Sequence, residues 1–221
     1  MNDSFSRRRM LTGSARILTM LPLTGLSIPF AARAQSTNTD ARASPMLRKT
    51  PSQMEGPFYP VVEPKDVDYD LLRNGTLAYA GGSPTWVEGI VTDLEGLPVK
   101  GGAIEIWQCD EVGHYDHPRD GSKINPAFQG FGRVLLDADG RFRFRTIKPV
   151  PYTGRTPHIH AKIKLGKREL LTTQFYVEGD PGNASDMLFR RMKPEDRALI
   201  TSPFVPVPDG LQAQYSVVVE A

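Results

Sequence analysis

The chain has 221 residues, 39% hydrophobic and 24% charged, with a formal net charge of +2. That size and mix describe one ordinary globular domain rather than a disordered or membrane-embedded chain. The first 34 residues carry five of the 27 basic side chains and one of the 25 acidic ones; the remainder holds 22 and 24, a formal net of −2 that gives no electrostatic reason to bind nucleic acid.

Residues 1–34 read as an export segment. Ser6-Arg7-Arg8-Arg9-Met10-Leu11 resembles the twin-arginine signal, a mostly apolar stretch runs from Ile17 to Phe30, and Ala32-Arg33-Ala34 fits a small-x-small cleavage site. The expected product begins near Gln35, is periplasmic or secreted, and keeps no membrane anchor. The single cysteine, Cys109, rules out an intrachain disulfide. Residues 35–54, rich in Ser, Thr, Ala, Asn and Arg, predict a flexible lead-in, and 55–221 the folded domain.

Glu55-Gly56-Pro57-Phe58-Tyr59-Pro60 predicts rigid, extended chain lying across that domain. Asp66 to Pro84 reads as loop. Strands are expected near 85–93, 102–108, 131–136, 141–146, 157–165, 169–177 and 213–220, with Asp139-Gly140 as a two-residue hairpin turn. Arg141 to Arg145 alternates strictly, which puts Phe142 and Phe144 on a buried face. Short helices are expected at Ala184–Met192 and Pro194–Ile200. Together these predict an all-β chain, an antiparallel β-sandwich with short helices near 184–200.

Two stretches carry the chemistry. The loop after 102–108 holds Cys109, His114, Tyr115, Asp116 and His117. Pro151-Tyr152-Thr153-Gly154-Arg155-Thr156-Pro157-His158-Ile159-His160 then places a tyrosine, an arginine and two histidines within ten residues. From Pro157 onward, period-two alternation puts His158, His160, Lys162 and Lys164 on one strand face and Ile159, Ala161, Ile163 and Leu165 on the core face. Two imidazoles at i and i+2 can chelate one metal ion. On these residues alone three readings stand: plain polar surface; a zinc or Fe(II) enzyme using His158, His160 and a carboxylate such as Asp116; and a tyrosine-assisted site, since Tyr115 and Tyr152 each accompany a histidine pair. A transthyretin-like binding module is a fourth, because Val91 to Val99 resembles turns of such sandwiches.

Several motifs together resemble the intradiol ring-cleavage dioxygenases. They are Gly56-Pro57-Phe58-Tyr59, Ile104-Glu105-Ile106-Trp107-Gln108, Gly113-His114-Tyr115, Gly132-Arg133, Phe144 to Pro149, His158-Ile159-His160 and Thr173 to Pro181. Within that family the pattern is nearest to the iron-bearing β chain of protocatechuate 3,4-dioxygenases. The resemblance implies a transthyretin-like sandwich holding one non-haem Fe(III) per chain on Tyr115, Tyr152, His158 and His160. It also implies a catechol and O2 as substrates and cleavage between the two hydroxyls to a muconate-type diacid. By the same resemblance Tyr115 and His158 are equatorial ligands, Tyr152 and His160 axial ones. Tyr152 is then the displaceable base, Arg155 the cation beside the ring, and Gln174 a hydrogen-bonding residue close to substrate. Fe(III) is a hard ion suited to phenolate, and Fe(III), two phenolates and one hydroxide sum to zero, so the centre can be buried cheaply. Only five residues separate Tyr152 from His158. Protocatechuate enzymes carry a longer, tryptophan-containing insert there, so the catechol is left unassigned, as are a second copy or a homologous partner chain and the roles of Tyr59, His114 and His117. Cys109 reads as a small buried hydrophobe.

Replacing Arg7 and Arg8 together by Lys is expected to retain the protein inside the cell with an unprocessed N-terminus. Fractionation and N-terminal sequencing check this, and unchanged export would refute the twin-arginine reading.

Overall fold

The computed structural model describes residues 46–221 with the exception of Ser122. The export segment 1–34 and residues 35–45 of the lead-in lie outside the described residues.

Eleven strands are described: β1 (Arg73–Asn74), β2 (Leu77–Ala78), β3 (Pro84–Thr92), β4 (Gly102–Trp107), β5 (Phe131–Leu135), β6 (Arg141–Ile147), β7 (His158–Leu165), β8 (Arg168–Val177), β9 (Thr201–Ser202), β10 (Val205–Val207) and β11 (Gly210–Val218). Two short helices, α1 (Met187–Arg191) and α2 (Pro194–Arg197), lie between β8 and β9. The strands form a four-stranded sheet, β10-β11-β3-β6, a five-stranded sheet, β5-β4-β7-β8-β9, and the small β1–β2 pair. Among the described residues no helix is long and apolar enough to cross a membrane.

The two large sheets face one another across a core that includes Phe142, Phe144, Ile159, Ala161 and Ile163, which alternation assigned to it, whereas Leu165, assigned with them, is only half-buried. Ile104, Ile106, Ile159, Ala161, Ile163, Leu171 and Phe175 of one sheet meet Val87, Val91, Phe142, Phe144, Ala213, Tyr215 and Val217 of the other. Phe175 joins the layers, lying parallel to Tyr215 at 4.1 Å between ring centroids and to Phe142 at 6.5 Å.

Four details differ from the sequence expectation. First, the Asp139-Gly140 turn forms, with the Gly140 amide donating to the Asp137 carbonyl at 3.0 Å. It does not make a hairpin, because β5 pairs with β4 and β6 pairs with β3, so the turn carries the chain from one sheet to the other. Gly140 is needed there, since a Cβ would lie 2.4 Å from the Val91 carbonyl oxygen. Second, the sandwich is not wholly antiparallel: β11 runs parallel to β3 and β9 parallel to β8. Third, β1 and β2 fall in the 66–84 stretch read as loop, β9 is an additional strand, and so is β10. Pro206 disguises it in sequence and is tolerated because β10 lies at a sheet edge. Fourth, residues 47–53 of the lead-in are tied down. The Thr50 amide donates to the Val218 carbonyl at 3.0 Å and the Gln53 amide to Thr172 at 2.8 Å, and Thr50 is buried.

This segment continues as the extended strap at 55–60 and crosses the outer face of the five-stranded sheet. That face carries Glu105 and Trp107 of β4, His158, His160 and Lys162 of β7, and Gln174 and Tyr176 of β8, all buried. The histidine face of β7 is therefore a second interior rather than solvent-exposed surface.

Phe175→Ala removes the ring shared by both sheets and is expected to cost about 3–5 kcal/mol of stability, measured as a shift of the denaturant midpoint. A loss below about 1 kcal/mol would show that Phe175 does not join the layers.

Candidate metal centre

Strand register builds the site. Trp107 of β4 stands opposite His160 of β7, which stands opposite Gln174 of β8; His158 stands opposite Tyr176. The His160 ring stacks on Trp107 at 4.8 Å with 8° between planes. The two Nε2 atoms of His158 and His160 are 3.2 Å apart. His158 Nδ1 lies 2.7 Å from the Thr156 carbonyl oxygen, a contact only an N–H can make favourably, so the proton is on Nδ1 and Nε2 offers its lone pair.

Tyr152 reaches the histidines through a tight turn. The Arg155 amide donates to the Tyr152 carbonyl at 2.7 Å, and Gly154 adopts φ 77°, which suits glycine. The Tyr152 ring lies 5.5 Å from His158 and 5.1 Å from Tyr115. Tyr115 comes from the β4–β5 loop, 6.1 Å from the His160 ring. Asp120 fixes it by accepting its amide at 2.8 Å, and Phe58 of the strap stacks on it at 4.5 Å.

Burial sets the protonation of the four groups. It lowers His158 to about 4, with Arg155 adding to the effect, and it holds His160 well below the usual imidazole value, helped by His158 and Arg155. Burial raises both phenols, and Arg155 partly offsets this at Tyr152. Without a cation the cluster is thus neutral, with two imidazoles and two protonated phenols. It is also unsatisfied, because the buried Tyr115 Oη and His160 Nδ1 have no hydrogen-bond partner among the described residues. Unpaired buried polar atoms are costly. A hard cation that ionises two phenols and accepts two imidazole lone pairs fits this donor set. Among the described residues no three His, Cys, Asp or Glu side chains converge, and Asp116 is exposed. A site of imidazoles and carboxylate alone is therefore not assembled.

Arg155 is held on two sides. Its Nε donates to Asp186 at 2.7 Å, and one terminal nitrogen donates to Gln174 Oε1 at 2.7 Å and Tyr176 Oη at 3.2 Å. Gln174 stands beside His160, and its amide is held by protein groups. Its oxygen also accepts from Tyr176 at 2.9 Å and its nitrogen donates to the Met54 carbonyl at 3.1 Å. It orients Arg155 through its oxygen.

The other flagged residues are structural. His114 pairs with Asp120 at 3.2 Å, and His117 accepts the Arg119 amide at 3.1 Å. Tyr59 donates to Glu105 at 2.7 Å. Lys164 and Arg133 each reach Glu105 at 2.8 Å, and Lys162 pairs with Glu55 and Glu169. These two lysines therefore anchor the strap and sheet. Sequence reasoning did not assign roles to Phe58 and Trp107, the aromatic walls of the ligand cluster, or to Asp186.

The chain matches the family model described as Dioxygenase over residues 54–204. It is 37% identical over 150 residues to the protocatechuate 3,4-dioxygenase beta chain of Burkholderia cepacia, covering 61% of this chain and 62% of that one. It is 32% identical over 157 residues to the hydroxyquinol 1,2-dioxygenase of Corynebacterium glutamicum, covering 59% and 49%. The alignments thus span 62% and 49% of these relatives' lengths. Among solved structures, the dioxygenase domain of a dioxygenase–carbohydrate-binding fusion from Streptomyces sp. SirexAA-E superposes with a TM-score of 0.63 at 32% identity, over 79% of this chain and 99% of that one.

Cys109 is 1% exposed, lies among Trp107, Tyr115 and Phe131, and has its thiol pushed up to about 12, chiefly by burial. It is expected to resist a disulfide reagent at pH 8 in the native protein and to react once per chain in denaturant. Fast native reaction would mean the cluster opens.

Proposed function

The chain belongs to the intradiol dioxygenase family, and on that basis we propose that its 55–221 domain is a non-haem Fe(III) dioxygenase with one iron per chain. It adds both atoms of O2 across the ring bond between the hydroxyl-bearing carbons of a catechol, giving a muconate-type diacid. The observation that carries this reading is the approach of His158 and His160 Nε2 to 3.2 Å beside two tyrosines, one of them buried with an unpartnered Oη. A binding module has no use for four such donors in one buried cluster. We further propose that the domain works after export, in the periplasm or outside the cell.

Tyr115, Tyr152, His158 and His160 would hold the iron. Bound there, Fe(III) supplies the Lewis acidity that keeps phenols and catechol ionised and the redox character that lets O2 react with an aromatic ring. The two tyrosines differ in freedom. Tyr115 is buried under Phe58 and has nowhere to move. Tyr152 is half-buried on a turn whose neighbours Thr153 and Gly154 are exposed. Its Oη is the group that can swing away and take one catechol proton. Arg155 places a fixed positive charge near Tyr152, preorganised for negative charge developing on the ring. Phe58 and Trp107 keep water from the buried side of the cluster.

The purified protein is expected to carry close to one iron per chain and to be coloured by phenolate-to-Fe(III) charge transfer. Tyr115→Phe should bind iron weakly and lose most of the colour. Tyr152→Phe should keep iron, form a normal complex with 4-nitrocatechol, and turn over roughly 10²–10⁴-fold more slowly for want of a positioned base. Visible spectra with and without the catechol decide. A colourless, zinc-loaded protein would sink the proposal, and a catecholate complex formed by Tyr115→Phe but not by Tyr152→Phe would reverse the two roles.

A further inference from the structure

Asp186 has a role beyond ending a loop. Its side chain is fully buried, and its two oxygens do separate work. Oδ1 caps α1, accepting the Leu188 and Phe189 amides at 2.9 Å each. Oδ2 faces the other way and accepts Arg155 Nε at 2.7 Å and the Thr156 amide at 2.9 Å. Burial alone would raise this carboxyl; hydrogen bonds from Phe189, Thr156 and Arg155 outweigh it and hold the group ionised.

Arg155 and Thr156 both lead to the ligand cluster. The Thr156 carbonyl holds the proton of His158 Nδ1. The Thr156 hydroxyl donates to Asn183 at 2.8 Å, and a Cβ on Gly182 would come within 2.9 Å of that hydroxyl oxygen. The 180–186 loop therefore encloses the residue that orients His158. On the Arg155 side, Asp186 takes Nε while Gln174 and Tyr176 share one terminal nitrogen. Among the described residues nothing is hydrogen-bonded to the other terminal nitrogen, Nη1. Three protein acceptors thus fix the plane of the guanidinium and leave one nitrogen for a substrate.

We propose that Asp186 is a positioning residue for the dioxygenase reaction. It acts through Arg155, whose plane and free nitrogen it sets, and through Thr156, which orients His158. This rests on the function proposed above. An N-cap role alone would make Asp186 a stability residue with no effect on turnover.

The two roles separate because Asn and Ser also cap helices well, while neither can cap α1 and at the same time accept from Arg155 and Thr156 as the two carboxylate oxygens do. The test is a double-mutant cycle of Asp186→Asn, Arg155→Gln and the combined variant, with Asp186→Ser as the second capping substitution should Asn fold poorly. Each is measured as iron-loaded protein for kcat and KM toward catechol and for the visible band of its 4-nitrocatechol complex. Each is also measured metal-free for its unfolding midpoint. Arg155→Gln should lower kcat by about 10²–10³-fold, as loss of a preorganised charge does. Asp186→Asn should lower kcat by about 10-fold or more, with a shifted catecholate band, and its metal-free midpoint should fall because the Arg155 guanidinium loses its buried partner, a loss that should largely disappear in the Arg155→Gln background. The double variant should be no slower than Arg155→Gln by more than a few-fold, because partners in one network are not additive. Wild-type kcat and band in Asp186→Asn, or losses that multiply in the double variant, would overturn the proposal. If the iron-loaded wild type cleaves no catechol, the function reading has failed instead. The metal-free midpoints still read the Arg155–Asp186 pair in that case, and simple additivity there overturns the positioning role as well.

Discussion

Two neutral imidazole nitrogens held 3.2 Å apart in a buried face are the constraint on which the rest of the site depends. The surroundings hold this approach from both sides. Trp107 fixes one ring by stacking and the Thr156 carbonyl fixes the other by hydrogen bonding. The strap and the β4–β5 loop then close the face with Phe58 and Tyr115. Polar atoms left unpaired inside a fold mark a place where stability has been given up for function.

Charge is organised in two separate groups on the same sheet face. Toward the β7 C-terminus, Glu105, Lys164, Arg133, Tyr59, Lys162, Glu55 and Glu169 neutralise one another and fasten the strap. Toward its N-terminus, Arg155 and Asp186 form a pair whose carboxylate is fully shielded and whose cation is 16% exposed. The first group is matched internally. The second retains one guanidinium nitrogen outside the protein's own hydrogen bonding, beside the turn that carries Tyr152.

The alternation of β7 made both of its faces legible from sequence, because a period of two needs only the identities of neighbouring residues. Tyr115, Tyr152, His158 and His160 came from family motifs, and the structure draws them into one cluster. What remained hidden depended on partners far along the chain. The Asp137–Arg141 turn follows from local chemistry, yet nothing local says that β5 and β6 join different sheets. Lys162 and Lys164 are legible as a charged face but not as lysines already matched by Glu55, Glu105 and Glu169. Gln174 is legible as a residue close to the site, but not as an acceptor that helps to hold Arg155. Asp186 follows a serine and precedes a short apolar helix, which is a capping signal. Its second oxygen reaches a residue 31 positions earlier, and no local pattern announces that.

The joining of the strap to the last strand has a kinetic meaning. Thr50 Oγ1 accepts the Val218 amide at 2.9 Å across a separation of 168 residues, and the same segment leads directly to Phe58 above Tyr115. Contacts between the two ends of a chain form late, because loop-closure entropy is lost before they repay it. The Thr50 end of this segment therefore cannot be fastened until β11 has been synthesised, whereas its Gln53, Met54 and Tyr59 anchors to β8 and β4 are available earlier. The last strand thus adds the final clasp to a cover that earlier strands already hold.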